Sequence, residues 1–367
     1  MNNISVFSFF SGSGFLDLGF ERSNFNLCFV NEIKPSFLEA YKYSRKKLGI
    51  ETPKYGYSNV SIEEYLSGDK YTLLSNCIQN EVDEKNFVGF IGGPPCPDFS
   101  IGGKNRGKHG DNGKLSGIYV DLISKLKPDF FIFENVKGLW RTKRHREFYE
   151  ELKERLYNSG FFLVDQLVNS IEFGVPQDRD RIILFGVNSR LVAKPNLLEN
   201  FNWNFRKKYN KDTIFSLPWP GINNHLNGSN TIEDLPKELT VEYWFTKNKV
   251  DDHPNSVDQF TPRAGLEKFK IIAEGDVSKK SFKRLHRYRY SPTACYGNNE
   301  VHLHPVLPRR INVAEALAIQ SLPKDFELPK EMTLTDKFKT IGNGVPYLLS
   351  KGIAETVYLF IKQNFVR

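Results

Sequence analysis

Short apolar segments that end in polar or glycine-rich residues recur along the first half of the chain. They cover residues 4–10, 27–30, 87–91, 130–133, 161–169 and 181–187. Helical stretches separate most of them, and strands that alternate with helices predict an α/β fold with a doubly wound, mostly parallel sheet. Ligands of such sheets bind outside the carboxyl ends of the strands. We therefore expect the residues at these strand ends to form one site.

Charge and cysteine content restrict the kinds of partner and site that the chain is expected to have. The 367 residues carry 51 Lys and Arg against 43 Asp and Glu, a net charge of +8, which favours a polyanionic partner but equally fits an ordinary cationic surface. The four cysteines are far apart in sequence, so we expect neither a disulfide framework nor a metal site. We also expect a cytoplasmic protein without a membrane partner, because the sequence shows no signal peptide and no apolar run that would span a bilayer.

The turn after the first apolar segment, Ser11-Gly12-Ser13-Gly14, has the composition of a ligand-binding turn. Glycines let the backbone approach a ligand, and the helix that begins there offers unpaired N–H groups. Glu32 follows the second segment at the ~20-residue spacing from which a carboxylate accepts ribose hydroxyls. These residues indicate a nucleoside-type cofactor, although a plain tight turn and a solvated carboxylate account for them equally well.

A cysteine held between prolines follows the third segment. The run Pro94-Pro95-Cys96-Pro97 restricts the backbone around one thiol, and a basic segment with six glycines follows at 98–117. Most isolated cysteines are buried and inert. Here the strand-end position instead indicates a nucleophile, and the glycine-rich segment indicates a lid that closes over a phosphate-rich substrate.

Three further strand-end or turn positions carry charged or amide side chains. Glu134 ends the fourth segment, where a carboxyl group can exchange a proton with a heterocycle nitrogen. Arg179 and Arg181 are two residues apart on a strand and therefore point to one face, where they could converge on one anion or carbonyl. Asn343 lies in a glycine turn before the last helix. Taken singly, each of these is equally an ordinary capping or surface residue.

The order of these segments resembles one protein family. The runs FFSGSG, VNE, GGPPCPDFS, FENVKG, QDRDR and IGNGVP are similar to successive sequence blocks of the DNA cytosine C5 methyltransferases, of the bacterial type II modification-enzyme kind. The run HPVLPRRINVAEALAIQSLP resembles the block before the last. The resemblance covers the chain except 194–290, where this family is variable. Blocks in this number and order are far more specific than any single motif.

The resemblance implies a fold, a cofactor and a division of the chain. The fold is the Rossmann-like fold of class I S-adenosylmethionine-dependent methyltransferases, with a catalytic domain at 1–190 and 326–367 and a smaller target-recognition domain at 191–325. S-adenosylmethionine is the implied methyl donor and S-adenosylhomocysteine the product, without a metal. The expected cofactor-binding residues are Phe10, Ser11, Gly12, Ser13, Gly14, Glu32, Asn59, Pro94, Asn343 and Val345.

The resemblance also implies a reaction. Cys96 attacks C6 of a cytosine that has been flipped out of the duplex, which activates C5 for methylation. Glu134 acts at N3 of the base, while Arg181 and Arg179 hold the base carbonyl and a neighbouring phosphate.

The implied substrate is a specific double-stranded DNA sequence. The enzyme would act as a monomer and serve a restriction-modification system. The expected DNA-binding residues are Ser100, Arg106, Arg284, Arg287 and Arg289.

Several positions depart from the family pattern. Ser11 and Phe15 stand where the family often has Ala and Gly, and Gly344 stands where it has Ala, which we expect to be a mild change. Pro97 replaces the usual Gln after the nucleophile. Asn59 stands where the family usually has an Asp beside the adenine, and its side-chain oxygen could make the same bond.

Three alternatives stay open on the sequence alone. Methylation of a cytosine in transfer RNA would use a folded single-stranded loop as substrate. A catalytically silent nucleic-acid-binding relative would not need the intact Cys96, Glu134 and Arg181. A nicotinamide oxidoreductase fits the glycine turn but leaves the Pro-Pro-Cys run without a role.

Overall fold

The computed structural model describes residues 3–95, 111–192, 195–222, 234–262, 265–296 and 300–365. Its strands are β1 (Ile4–Phe9), β2 (Asn26–Asn31), β3 (Tyr57–Ser58), β4 (Phe87–Gly92), β5 (Phe130–Val136), β6 (Phe161–Asn169) and β7 (Asp180–Asn188). They form a seven-stranded sheet in the order β3-β2-β1-β4-β5-β7-β6. Neighbouring strands are parallel except for β7, which is antiparallel to both β5 and β6. The expected α/β fold with a mostly parallel sheet is confirmed.

Helices connect the strands and continue through the C-terminal half of the described chain. They are α1 (Phe15–Glu21), α2 (Pro35–Lys47), α3 (Gly68–Asp83), α4 (Asp111–Leu126), α5 (Gly138–Arg141), α6 (Lys143–Asn158), α7 (Lys211–Ser216), α8 (Val241–Asn248), α9 (Leu266–Ile271), α10 (Val313–Ile319), α11 (Leu334–Asn343) and α12 (Tyr347–Asn364). Caps visible in the sequence start some of them. Thr142 and Asn312 accept a hydrogen bond from a backbone N–H in the first turn of α6 and α10, which satisfies a donor that the helix itself leaves unpaired.

The sheet is covered by helices on both faces, which explains why its strands read as near-continuous apolar segments. All six residues of β1 are buried. One face packs against α1 and α12 in an apolar cluster that includes Phe20 and Ile353. The other face packs against α3, α4 and α6 in a cluster that includes Tyr119 and Leu152. The ends of the strands are therefore the part of the sheet left open to a ligand.

The segment 191–325, expected to form a separate domain, shares apolar cores with the rest of the chain at both ends. Near its start, Phe201 and Trp203 pack into the cluster formed by the sheet and α12. Near its end, α10 packs with α1, α2, α8 and α11 in one cluster, and every residue of α10 is buried. By packing, α10 is a core element that joins the expected recognition segment to the catalytic part.

One contact joins α1 to the turn between α11 and α12. The ring of Phe15 is so close to Gly344 that a Cβ atom on Gly344 would lie 2.1 Å from Phe15 Cδ2. The φ angle of Gly344 is −64°, which any L-amino acid adopts, so the ring and not the backbone requires glycine here. The two departures from the family pattern are therefore coupled, because Phe15 fills the space that a larger residue at 344 would need. The departure at Gly344 is thus tied to the departure at Phe15.

We expect Gly344→Ala to lower the free energy of unfolding by about 1–3 kcal/mol, the usual cost of overpacking a filled core. In a Phe15→Ala background the ring is gone, and the same substitution should have little effect. Urea unfolding of the two single variants and the double variant measures this coupling. Additive changes would show that the two positions do not compete for one volume.

Candidate active site

The candidate site lies where several strands end at one edge of the sheet. Because β1, β2, β4 and β5 are parallel, the residues that follow them meet at this edge. The antiparallel β7 brings its first residues there, opposite the end of β5, with Val136 paired to Arg181. The sequence predicts that Arg179 and Arg181 reach this edge, and the reversal of β7 is the structural reason that they do.

The turn after β1 has a left-handed backbone at three residues. The φ angles of Phe10, Gly12 and Gly14 are 54°, 56° and 80°. The N–H of Gly12 donates a hydrogen bond of 2.8 Å to Glu32 Oε2, and Glu32 Oε1 accepts one from the backbone N–H of Lys34. Burial raises the pKa of Glu32, and these two donors partly offset the shift. The turn and the carboxylate, predicted from separate segments, thus form one unit.

Asn59 follows β3 and lies beside Glu32. Its side-chain nitrogen donates to the backbone carbonyls of Glu32 and Ile33, at 2.7 and 2.9 Å. Both contacts commit the nitrogen to the backbone, which leaves the side-chain oxygen of Asn59 as an acceptor. Ile33 is 59% exposed next to it. We did not predict a role for Ile33, although an exposed apolar residue at a strand end is a signal for a ligand surface.

The turn between α11 and α12 packs against the turn after β1. Ser13 Oγ and Thr340 Oγ1 lie 2.7 Å apart and share a hydrogen bond. Asn343, the last residue of α11, is exposed, whereas Val345 is buried in the cluster of the sheet and α12. Ser11 Oγ is buried and has no hydrogen-bond partner among the described residues. An unpaired buried hydroxyl is unfavourable, so this turn suits a site that a bound ligand completes.

The carboxyl group of Glu134 lies against the strand end that leads to Cys96. A Cβ atom on Gly93 would be 2.6 Å from Glu134 Oε2, so the carboxyl occupies space that a side chain at residue 93 would need. Arg181 Nε and Glu134 Oε1 form an ion pair of 2.8 Å, but the N–H is not directed at the oxygen. Both buried atoms consequently lack a hydrogen-bond partner in the described part of the chain. Burial raises the pKa of Glu134, while Arg181 and Arg179 oppose the shift.

The segment after β4 is described only as far as residue 95. Pro94 is buried, and its carbonyl accepts a hydrogen bond of 3.4 Å from Asn135 Nδ2, which ties the end of β4 to the end of β5. Three predicted site residues lie outside the described residues: Cys96, Ser100 and Arg106. The lid predicted at 98–117 overlaps α4, because residues 111–117 are already helical.

The sequence predicts that Arg179 and Arg181 converge on one open position, but the structure does not show this. The guanidinium of Arg179 is buried and donates to the backbone carbonyls of Ala294, Gly342 and Gly344, at 2.9, 2.7 and 3.1 Å. Burial, together with the charge of Arg181, lowers the pKa of Arg179. The two terminal nitrogens are occupied by backbone from two distant segments, so the geometry is that of a positioning residue.

Arg284, expected to bind DNA, is enclosed by the protein. All three of its guanidinium nitrogens donate to backbone carbonyls, those of Phe269, Ile272, His304 and Leu307. Only 4% of the residue is exposed. Four of its five N–H groups are committed to the backbone and the side chain is buried, so we do not keep the expectation that Arg284 contacts DNA.

The two other arginines of this segment are more accessible. Arg287 pairs with both carboxyl oxygens of Glu274, at 3.0 and 3.2 Å, and this partner raises the pKa of Arg287. Arg289 makes one long contact of 3.5 Å to the carbonyl of Pro220 and lies over the ring of Tyr290. Arg289 is therefore the better placed of the two to exchange its contact for a phosphate.

A buried group of charged residues under the turn after β1 was not predicted. Arg45 is buried, donates to the carbonyl of Gly14 and forms a 2.9 Å ion pair with Glu21. Asp17 Oδ1 accepts a hydrogen bond of 2.9 Å from Ser8, whereas its Oδ2 has no partner in the described residues. Burial raises the pKa of Asp17 to about 7 despite the nearby Arg45. Only tertiary packing unites these positions, so the sequence carries no local signal for them.

The raised pKa of Asp17 should make stability depend on pH. An aspartate in the unfolded chain has a pKa of about 3.9, so the folded state binds this proton more tightly. Between about pH 4 and pH 7 the free energy of unfolding should fall as pH rises, by at most ~1.4 kcal/mol per pH unit, and then level off. Asp17→Asn removes this titration. In urea unfolding, the free energy of unfolding of the variant should rise relative to that of the unaltered protein as pH increases across this window. A difference between the two proteins that does not depend on pH would contradict the assignment.

The donor set at this edge fits a nucleoside cofactor. An orphaned hydroxyl at Ser11, a left-handed glycine turn, the carboxylate of Glu32 and the amide oxygen of Asn59 follow neighbouring strands. The described residues contain no group of three or more His, Cys, Asp or Glu side chains that could hold a metal ion. In the same ranges, no helix has both the length and the apolar character needed to cross a membrane.

Comparison with known proteins shows a family match over nearly the whole chain. Residues 4–358 match the model of the C-5 cytosine-specific DNA methylase family. The chain is 57% identical over 362 residues to the Type II methyltransferase M.NmeDI of Neisseria meningitidis serogroup C, which covers 99% of this chain and 85% of the relative. It is 28% identical over 370 residues to the Type II methyltransferase M.FnuDI of Fusobacterium nucleatum, covering 96% and 95%.

Solved structures share the fold. A prophage-encoded DNA modification methyltransferase (E. coli) superposes with a TM-score of 0.66 at 20% identity, covering 98% of this chain and 100% of that chain. A mutant of Spodoptera frugiperda DNMT2 gives a TM-score of 0.59 at 14% identity, covering 97% and 100%. Since the family match extends over nearly the whole length, the chain belongs to the C-5 cytosine-specific DNA methylase family.

Proposed function

We propose that this enzyme transfers a methyl group from S-adenosylmethionine to C5 of a cytosine within a specific double-stranded DNA sequence. The observation that carries the proposal is the buried carboxyl of Glu134, which lies against Gly93, beside Arg181 and at the strand end that leads to Cys96. The 57% identity to a Type II methyltransferase supports a role as the modification enzyme of a restriction-modification system.

Cytosine C5 needs activation because it is a weak nucleophile. In the proposed reaction the Cys96 thiolate attacks C6 and forms a sulfur–carbon bond, and electron density moves to C5 and N3. Glu134 gives its proton to N3 as this charge develops. Burial raises the pKa of Glu134, which acts in the direction that this proton transfer needs. After methylation a base removes the C5 proton, the sulfur–carbon bond breaks to release the Cys96 thiolate, and N3 returns its proton to Glu134.

The two arginines have different proposed roles. Arg181 forms an ion pair with Glu134 through its Nε, and its Nη1 donates to the carbonyl of Asp180 at 2.8 Å. We assign Arg181 to the carbonyl oxygen of the base, where its charge stabilises the developing anion. Arg179 acts through the last turn of the chain, which its hydrogen bonds hold in place.

We assign the cofactor to the edge formed by β1, β2 and β3. S-adenosylmethionine, when bound, supplies an electrophilic methyl group. Glu32 is oriented by two backbone N–H donors and would accept the ribose hydroxyls. Asn59 would accept from the adenine amino group, because its nitrogen is committed to the backbone. Phe10, half-buried in a left-handed turn, offers its ring to the adenine. The other proposed cofactor-binding residues are Ser11, Gly12, Ser13, Gly14, Pro94, Asn343 and Val345.

The target base is inaccessible inside a duplex, so the reaction requires that it be flipped into the site. We place target recognition within 191–325 but outside the buried α10, with Arg287 and Arg289 as candidate DNA contacts. Ser100 and Arg106 stay predictions from the sequence. We further propose that the protein acts as a monomer in the cytoplasm of a bacterium, where chromosomal DNA is its substrate.

A mechanism-based inhibitor tests the nucleophile. Duplex DNA with 5-fluorocytosine at the target position, together with S-adenosylmethionine, should trap the protein covalently, because fluorine at C5 cannot leave as a proton does. Cys96→Ser should abolish the adduct on a denaturing gel, and Glu134→Gln should slow its formation by about 10²–10⁴-fold. Cys77→Ser, at a half-buried cysteine of α3, is the matched control and should react normally.

Two results would contradict this assignment. An adduct that survives Cys96→Ser would exclude Cys96 as the nucleophile. Methyl transfer to transfer RNA but not to any duplex DNA would show that the enzyme acts on the RNA substrate instead.

A further inference from the structure

Four exposed cations follow β5 within six residues of one another. They are Arg141, at the end of α5, and Lys143, Arg144 and Arg146, in the first turn of α6. None of the four forms an ion pair within the part of the chain that the structure describes. We call these four residues the α6 cluster. Four unpaired like charges this close repel one another, so the surface favours an anionic partner.

The order of charges along α6 is unfavourable for the helix itself. Acidic side chains stabilise the first turn of a helix and basic ones the last, yet the first turn of α6 has no acidic residue. Its glutamates come later, at Glu147, Glu150, Glu151 and Glu154. The helix dipole therefore does not account for the cations at this position, and their exposure leaves them accessible to a charged partner.

The α6 cluster lies at the edge of the sheet that carries the active site. α5 begins two residues after β5 ends, so the cluster continues from the strand of Glu134. Lys137, between the two elements, pairs with Asp180 at the start of β7 at 2.7 Å, which holds the connection at this edge. Arg146 lies 5.5 Å from the ring of Trp140, a contact that limits the freedom of its guanidinium. A duplex that delivers a base to Glu134 must approach this edge.

We propose that the α6 cluster binds the phosphodiester backbone of duplex DNA beside the target cytosine. The inference rests on the proposed function, but it names a surface on the catalytic part of the chain instead of the recognition segment. Phosphate contacts are independent of base sequence; they add affinity and orient the duplex, while base contacts supply specificity. The cluster would thus hold the DNA on the catalytic side whatever the flanking sequence.

The salt dependence of DNA binding measures the number of such phosphate contacts. The logarithm of the binding constant falls with the logarithm of salt concentration by about 0.9 per phosphate contact. Replacing Arg141, Lys143, Arg144 and Arg146 together by Gln should reduce this slope by about 3–4, measured by fluorescence anisotropy with a duplex that the full-length protein methylates. The KM for DNA should rise, while kcat at saturating DNA should not change.

A matched variant separates a local contact from net charge. Arg22, Lys46, Lys85 and Lys127 are also exposed, and they lie at the opposite edge of the sheet, after α1, at the end of α2 and before β4 and β5. Their joint replacement by Gln removes the same charge and should leave the slope unchanged. The Tm of the α6-cluster variant should change little, because its four side chains are exposed and the three in the first turn of α6 oppose the dipole of that helix.

An unaltered slope in the α6-cluster variant would overturn this inference. An equal fall in both variants would also overturn it, because net charge alone would then account for the effect. If the unaltered protein neither binds nor methylates duplex DNA, the proposed function itself fails. A fall confined to the α6-cluster variant supports the inference.

Discussion

The buried guanidinium of Arg179 joins three parts of the chain that are far apart in sequence. At the start of β7, it donates to Ala294 in the recognition segment and to Gly342 and Gly344 in the last turn. A charge is tolerated away from water only when hydrogen bonds replace its hydration, and these carbonyls supply them. The last turn is thereby held against the sheet, where it contacts the turn after β1 through the Phe15–Gly344 pair. This arrangement therefore connects the two turns that border the proposed site.

The same edge contains several buried ionisable groups, which lower the free energy of unfolding. Glu134 and Asp17 both have a pKa raised by burial, although each has an arginine nearby. For Glu134 the raised pKa has a chemical use, since the proposed step needs a carboxyl that still carries its proton. Asp17 lies among Ser8, Arg45 and the backbone of the glycine turn, so its charge state affects the residues that hold this turn in place. Buried ionisable groups of this kind are typical of functional sites and not of cores chosen for stability.

The sequence predicted the parts that depend on local pattern. The strands, the glycine turn, Glu32 and Glu134 follow from apolar runs and the residues that end them. The direction of β7 does not, because an apolar run has the same pattern in either orientation. The difference between Arg179, which binds backbone, and Arg181, which faces Glu134, also depends on tertiary contacts. The burial of Arg284 has the same origin, since four carbonyls from distant residues enclose a side chain that looks like a surface cation in the sequence.

Bisulfite sequencing of duplex DNA incubated with the protein and S-adenosylmethionine distinguishes methylation of DNA from the alternatives. We expect protected cytosines at one position of a single short recurring sequence, on DNA treated with the unaltered protein and not with Cys96→Ser. Complete conversion of every cytosine, or protection that appears in transfer RNA and never in duplex DNA, would contradict it.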